Sequence, residues 1–378
     1  MIPTRDLIPM DATLTTSLRS STYYWKCDRP AAFHGTSART DVSSLQTQLK
    51  QVVQERHPKA RVQVQAGSGQ GNHITFLVAI NGDSLFARLE DGPEKDNYLE
   101  VESRVLREVR ALGLPAPQVH AVDASRTKVP FAWQLMDRVE SPDLNQLLKQ
   151  ERLNLPVMAR EIGAAVAHWQ CLQPPGFGPF DPEILRQQDR LAGFHACYED
   201  YFFLHLERHL HYLTQNSLLT RAEASEIESE ILQSRALLAF EQGCLVHKDL
   251  ALWNILGTET GIAAFIDWDD AISGDPMDDL SLLGCFYDGP VLEQSLVGYQ
   301  MLRPLPSEHR RRFWLHLLRN MLVKAVIRVG AGYFRRTDGF FLIGSGTSGA
   351  DLQAFTTARL AAALKGLRNE SPIESLGH

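Results

Sequence analysis

Residues 244–279 read CLVHKDLALWNILGTETGIAAFIDWDDAISGDPMDD, and the spacing of their polar residues decides how the rest of the chain is read. Cys244-Leu245-Val246 is a short apolar run of buried-strand type, followed by His247, Asp249 and Asn254 in the pattern H-x-D-x-x-x-x-N. A second apolar run, Ile262 to Ile266, ends on Asp267. Two strands that deliver an Asp, an Asn and another Asp to one end make a metal and phosphate site more readily than a core. Phosphoryl transfer from ATP needs a carboxylate beside the acceptor hydroxyl and oxygen ligands on Mg²⁺ over the β- and γ-phosphates. Asp249 suits the first role. Asn254 and Asp267 suit the second, because Mg²⁺ is hard and prefers oxygen.

The stretch resembles the aminoglycoside phosphotransferase and choline kinase family of small-molecule kinases, distant relatives of the protein kinases. The matching residues are His247-x-Asp249-Leu250 with Asn254, then Ile266-Asp267-Trp268, then Gly274-Asp275-Pro276 with Asp279-Leu280. Each piece alone is common, but three in this order within one short stretch are specific. The resemblance implies Asp249 as catalytic base, Asn254 and Asp267 as metal ligands, and Asp275 as a brace for the catalytic loop, with His247 and Asp279 in structural support.

Composition sets the outer bounds. The chain has 378 residues, 44% of them hydrophobic, which suffices for a sizeable core or two lobes. A net charge of −7 argues against general nucleic-acid binding, since phosphate neutralisation needs a basic face. Cys27, Cys171, Cys197, Cys244 and Cys285 form no C-x-x-C pair, so neither a zinc site nor a disulfide framework is indicated. No apolar run approaches membrane-spanning length and no signal peptide opens the chain, so a cytoplasmic protein without membrane attachment is expected.

Residues 1–40 form an N-terminal arm. Its segment YYWKCDRPAAFHG at 23–35 is too apolar for a solvated tail. It reads either as a flap or dimer contact near the substrate site or, preferred here, as an arm covering apolar surface.

A helix is predicted after Asp41 or Ser43, with Leu45, Leu49, Val52 and Val53 on one face. Strands at 61–65 and 73–80 enclose Gly67, Ser68, Gly69, Gln70, Gly71 and Asn72. A glycine loop between strands lets backbone N–H groups approach ATP phosphates. Asn81-Gly82 signals a tight hairpin into a third strand at 84–89. Arg88 stands there where the family commonly has a phosphate-gripping Lys, and its fork is longer and differently directed. Glu102, on a helix from 97 to 112, is the expected partner of Arg88. Strands at 118–122 and 130–136 complete the small lobe.

Gln134 to Arg138 is expected to connect the lobes, which puts Gln134 and Met136 beside the adenine. Beyond it the composition turns helical, with two or three helices over 181–240. His195, His205, His209 and His211 are not read as a metal site, because His209 and His211 do not share a helix face. A helix carrying basic residues over 305–334 reads as a core helix with a solvated basic face, the other reading being a docking face for an anionic acceptor or partner. A last helix at 351–367 precedes a polar tail, 371–378, expected to fray.

The expected architecture is a two-lobed, protein-kinase-like α+β fold. Residues 41–136 form the nucleotide lobe, a five-stranded antiparallel sheet with one main helix, and 137–370 the helical catalytic and acceptor-binding lobe. The expected reaction is phosphoryl transfer from Mg·ATP to a hydroxyl of a small molecule such as an aminoglycoside, an amino alcohol or a sugar-like compound. Asp269 and Asp270 are candidates to meet a cationic acceptor. Two alternatives remain: a catalytically silent nucleotide-binding module, suggested by Arg88 and Lys248, and a protein-modifying enzyme. The second is disfavoured because Asp267 reaches Gly274-Asp275-Pro276 without a long activation segment.

Overall fold

The computed structural model describes residues 18–29, 41–67, 73–337 and 348–377. Local turn chemistry shapes the smaller lobe. Asn81 and Gly82 both adopt positive φ, the conformation a two-residue hairpin demands, and join two strands in register from Ile80↔Asp83 to Ile74↔Leu89.

After the single turn α1 (Trp25–Asp28), helix α2 (Val42–Arg56) is capped by the Asp41 side chain, which accepts from Ser43 N at 3.0 Å. Its buried Leu45, Leu49, Val52 and Val53 pack on the sheet formed by β1 (Val62–Ala66), β2 (Ile74–Ile80), β3 (Asp83–Glu90), β4 (Val119–Asp123) and β5 (Ala132–Asp137). The strand order is β1-β2-β3-β5-β4 and every pairing is antiparallel. Helix α3 (Tyr98–Ala111) belongs to both lobes. It touches β4 and β5, while its Val101, Val105, Leu106 and Val109 join the core of the larger lobe.

The connector begins later than expected. Gln134 and Met136 lie inside β5, paired with Arg88 and Phe86 of β3, because that pairing continues to Leu85↔Asp137. The chain leaves the sheet only after Asp137.

The larger lobe opens with α4 (Leu144–Lys149) and α5 (Leu155–Trp169). Next come β6 (Phe177–Phe180), α6 (Pro182–Gln188), β7 (Gly193–His195), α7 (Tyr198–Phe202), α8 (Leu206–Gln215) and α9 (Arg221–Gln233). Thus 181–240 holds four short helices rather than two or three. Strand β8 (Cys244–Val246), the hairpin β9 (Ile255–Thr258) and β10 (Gly261–Phe265), and β11 (Ile272–Gly274) frame the decisive stretch.

Helices α10 (Asp278–Gly284), α11 (Gly289–Gln300), α12 (His309–Gly330) and α13 (Gly349–Asn369) close the lobe. Helix α11, which no expectation covered, crosses α5 so tightly that a Cβ on Gly163 or Gly298 would overlap a carbonyl oxygen of the other helix.

Two further expectations are corrected. The face of α12 is not a solvated basic one: His316, Arg319 and Arg328 are buried, and Arg319 donates to the Phe202 and Leu204 carbonyls. The tail does not fray over its described residues, because Ile373 and Leu376 are buried and Gly289 N donates to Leu376 O. No helix among the described residues is long and apolar enough to cross a membrane.

Candidate active site

Strand β8 ends at Val246 and hands the chain to a loop whose backbone needs fastening. Asp279, at the start of α10, accepts from the amides of His247 at 2.9 Å and Lys248 at 3.1 Å and from Trp169 Nε1 at 3.1 Å. The loop brace is therefore Asp279. Asp275, expected in that role, instead accepts from Met277 N at 2.8 Å and pairs with Arg312 of α12 at 2.5 Å. Both lie in one motif, and the turn between β11 and α10 decides which of them faces the loop.

Lys248 stands at φ 67, in the left-handed region that favours glycine. It persists there because its buried ammonium donates to Asp278, Tyr23 Oη and Asn320.

His247 is buried, and burial lowers its pKa. The neutral ring fits its surroundings: Nδ1 accepts from Asp249 N at 3.3 Å, so Nε2 carries the proton and donates to Ile266 O at 3.0 Å. It thereby ties the Asp249 loop to the chain leaving β10. Asp267 follows in a left-handed conformation, φ 65 and ψ 55, which turns its carboxylate back toward Asp249.

The two segments converge. Asn254 Nδ2 donates to Asp249 O at 2.8 Å and to Asp249 Oδ2 at 3.1 Å. The Lys26 ammonium lies between Asp249 Oδ2 at 2.7 Å and Asp267 Oδ2 at 3.0 Å, with Asp270 Oδ2 at 3.4 Å. On the other oxygen of Asp249 sit Tyr24 Oη at 2.7 Å and Lys324 Nζ at 3.0 Å. Burial alone would raise the Asp249 carboxyl, but Lys26 and Lys324 hold it well below the usual carboxylate range. Burial would likewise lower Lys26, and Asp249 followed by Asp267 keeps it firmly charged.

The smaller lobe reaches the same point through Arg88. One guanidinium nitrogen pairs with Glu102 Oε1 and another with Asp267 Oδ1 at 2.7 Å, while Glu102 Oε1 also accepts from Trp268 N at 3.1 Å. Gln134 is not part of this cluster: its side chain donates to Ser103 Oγ at 2.7 Å. Met136 is buried on the same strand. At Gly67 a Cβ would stand 2.6 Å from Thr75 Oγ1, so the chain passes there only as glycine. Ser68, Gly69, Gly71 and Asn72 lie outside the described residues.

Asp269 and Asp270 do not face an open acceptor pocket. Both are buried: Asp269 Oδ2 meets His73 Nε2 at 3.0 Å, and Arg19 donates to Asp269 O at 2.6 Å. Burial, with Lys26 opposing it and Asp269 adding to it, pushes Asp270 up to about 7.

Lys324, Arg19 and His73 were not foreseen in the site, and Tyr24 and Lys26 reach it from the segment for which a flap near the site was the reading not preferred. The aromatic run at 23–25 and the cations of α12 were visible, but nothing in their spacing marked where they would reach. Nor does the arm only cover apolar surface. Tyr23, Tyr24 and Cys27 join the core while Tyr24 and Lys26 end in the site.

The donor set suits a hard divalent cation. Three carboxylate oxygens surround Lys26 Nζ, and Asp270 Oδ2 is buried with no hydrogen-bond partner among the described residues. Asp267 belongs to this set, and Asn254, bonded to Asp249 through Nδ2, could add its amide oxygen.

Fold and site together define a two-lobed, kinase-like class of protein. Its sequence narrows that class, because residues 62–314 match the model of the phosphotransferase enzyme family, and the chain belongs to this family. Hygromycin-B 4-O-kinase of Escherichia coli is 26% identical over 194 residues, a match spanning 49% of this chain and 50%, about half, of that relative.

Among solved structures, aminoglycoside phosphotransferase APH(4)-Ia in ternary complex with ADP and hygromycin B superposes with a TM-score of 0.60 at 18% identity, covering 84% of this chain and 98% of that one. A putative aminoglycoside phosphotransferase of Ralstonia eutropha JMP134 gives 0.57 at 16% identity, over 88% and 99% of the two chains. A putative fructosamine-3-kinase of Haemophilus somnus gives 0.55 at 12% identity, over 85% and 100%. At these identities the structural likeness establishes the shared fold.

Proposed function

We propose that this protein transfers the γ-phosphoryl group of ATP to a hydroxyl of a small molecule, with Asp249 as the base. The observation that carries the reading is the convergence of Asp249, Asn254 and Asp267 from two strand ends, fastened by Asp279 on one side and by Arg88 and Glu102 on the other. The acceptor oxygen attacks the γ-phosphorus, the bond to the β-phosphate oxygen breaks, ADP leaves, and the hydroxyl proton passes to Asp249. Asn254 and Asp267 would hold Mg²⁺, which when bound supplies positive charge against the phosphate oxygens.

Arg88 is assigned to the nucleotide phosphates, with Glu102 keeping its fork in place. Gly67 opens the loop continued by Ser68, Gly69, Gly71 and Asn72, whose N–H groups are assigned to the same phosphates. Met136 is assigned to the adenine wall. For Gln134 the buried Oε1, which has no partner among the described residues, supports a place near the base.

The hygromycin-B kinase relative supports an aminoglycoside acceptor over an amino alcohol or a simple sugar. The five free cysteines support a reducing compartment, the cytoplasm.

The test is ADP release from Mg·ATP against hygromycin B, other aminoglycosides and small alcohols, with Asp249→Asn as blank. Acceptor-dependent release should fall by about 10²–10⁴-fold in the variant, measured below its melting temperature, since the variant also loses the charge that Lys26 and Lys324 face. Asp267→Ala should likewise abolish turnover while keeping the fold. Equal release from wild type and Asp249→Asn refutes the assignment. A second reading, nucleotide binding without transfer, draws on the donors already crowding Asp249. ATP binding with silence across the panel would favour it.

A further inference from the structure

A carboxylate has two oxygens and about four lone-pair sites, and Asp249 has a donor for each. Tyr24 Oη and Lys324 Nζ take Oδ1 at 2.7 and 3.0 Å, and Lys26 Nζ and Asn254 Nδ2 take Oδ2 at 2.7 and 3.1 Å. An acceptor hydroxyl finds no free position on the base. Lys26 also places a monovalent cation against Asp267 and Asp270, on the oxygens a metal ion at Asp267 would claim.

We infer that residues 18–29 are a plug built into the chain: the Lys26 ammonium takes the cation position of the transfer site, Tyr24 caps the base, and binding of the metal–nucleotide complex is coupled to withdrawal of Tyr24–Lys26. This rests on the phosphotransferase reading above.

The plug is anchored on both sides of its tip. Before it, Arg19 pairs with Asp96 at 2.6 Å and lies 4.0 Å over the Tyr98 ring. Tyr23 stacks on Tyr201 at 5.0 Å, with the Arg319 guanidinium 3.7 Å from its ring centroid. After it, Asp28 meets His209 at 2.6 Å.

Arg19 also donates to the Asp269 carbonyl at 2.6 Å, but Asp96, Tyr98, Tyr201, Arg319 and His209 have no part in transfer, so the segment occupies the cleft through contacts of its own. The tip differs: Lys26 is held by Asp249, Asp267 and Asp270 and Tyr24 Oη by Asp249 and Lys324, while the Lys26 side chain keeps 21% of its surface exposed. A divalent ion offers these carboxylates twice the charge of the ammonium on the same oxygens. Ammonium and ion are therefore alternatives, and linkage makes the effect reciprocal: whatever weakens the plug tightens metal–nucleotide binding by the same factor.

The experiment measures Kd for Mg·AMP-PNP by calorimetry on the full chain, as wild type, Lys26→Gln and Lys26→Arg, with thermal melting as the check on folding. In parallel, chymotrypsin probes Tyr23, Tyr24 and Trp25 with and without Mg·AMP-PNP. Lys26→Gln should bind at least tenfold more tightly than wild type, Lys26→Arg should stay near wild type, and Mg·AMP-PNP should open the wild-type segment to cleavage.

Equal affinities in folded wild type and Lys26→Gln, or a segment still protected in the Mg·AMP-PNP complex, would overturn the inference and make Lys26 part of the working site. If Lys26→Gln does not fold, Tyr24→Phe, which removes one donor from Asp249, takes its place under the same criteria. Absence of Mg·AMP-PNP binding in every folded protein would bring down the phosphotransferase reading itself, an outcome distinct from binding without a difference.

Discussion

Asp279→Ala tests whether the catalytic loop hangs from one carboxylate. The substitution strands three buried donors at once: the His247 and Lys248 amides and Trp169 Nε1. A buried donor left unsatisfied costs about 1–3 kcal/mol, and a water admitted into the space of the lost carboxylate recovers part of one bond. Three such donors give about 3–9 kcal/mol and the water brings the expected loss to about 2–8 kcal/mol, a large share of a total stability of roughly 5–15 kcal/mol.

Urea unfolding of the full chain reads it as a fall in the midpoint at constant slope. Asp279→Asn should fall between wild type and Ala. Its one amide oxygen can still serve His247 N and Trp169 Nε1, which share Oδ2, while its NH₂ meets the Lys248 N–H, donor against donor. Asp275→Ala is the control. It loosens Arg312 and Met277, away from Asp249, and should leave turnover far less affected than Asp279→Ala does under conditions where both are folded. A loss below about 1 kcal/mol in Asp279→Ala, or equal turnover in the two Ala variants, would refute the brace.

Arg88→Lys keeps the charge but replaces a fork that serves Glu102 with one nitrogen and Asp267 with another. Lysine brings one nitrogen where the fork brings two, and the two carboxylates must share it at poorer geometry, so stability in urea should drop by about 1–3 kcal/mol and Mg·AMP-PNP affinity should fall; unchanged affinity would remove Arg88 from the phosphate role. For pH, Asp28 is the clearest group: burial would raise its carboxyl, and His209 brings it down to about 2. Burial lowers His209 as well, so at neutral pH the ring is uncharged, accepting from Arg319 at Nδ1, and acts on Asp28 through the hydrogen bond its Nε2 donates rather than through a full charge. A depressed carboxyl stabilises above the unfolded value near 3.8 and loses that contribution as pH falls toward 2. The urea stability difference between wild type and Asp28→Asn should shrink across that window, and a difference constant in pH would show that the pair contributes no charge-dependent stability.

The sheet was legible because each of its determinants is local. Asn81-Gly82 fixes a hairpin, alternation fixes the faces of β1, and Asp41 with the Leu45–Leu49–Val52 spacing fixes α2. Asp249, Asn254 and Asp267 were legible because their order within one stretch is itself the signal. The connector was misplaced by a few residues because the end of β5 is set by pairing with β3, which no property of 134–138 announces. The choice between Asp275 and Asp279 turns on the direction of two carboxylates around one turn, below the resolution of a motif. Lys26 and Tyr24 meet Asp249 across more than two hundred residues of sequence, and contacts that distant leave no periodicity. The polar face of α12 misled for a related reason. A solvated cation and one buried against distant carbonyls or carboxylates look identical in sequence, and only the Asp249–Lys324 and Arg319–Leu204 contacts separate them.

The ties from the two lobes meet on adjacent residues, and this bears on how the site is assembled. From the larger lobe, His247 holds the Ile266 carbonyl and Asp279 holds the His247 amide, so Asp249 and the backbone before Asp267 move together. Glu102, on the helix shared by both lobes, holds the Trp268 amide, and Trp268 itself packs in the larger-lobe core, its ring 4.3 Å from that of His247 and 5.2 Å from that of Trp169. Both peptides flanking Asp267 are therefore held on the larger-lobe side, in a left-handed conformation at Asp267 that neither neighbour shares. The sheet of the smaller lobe reaches this residue through its side chain alone, by the Arg88 ion pair at 2.7 Å. A change in lobe orientation therefore acts on the Asp267 carboxylate through Arg88, and Arg88 is the residue whose replacement uncouples the two.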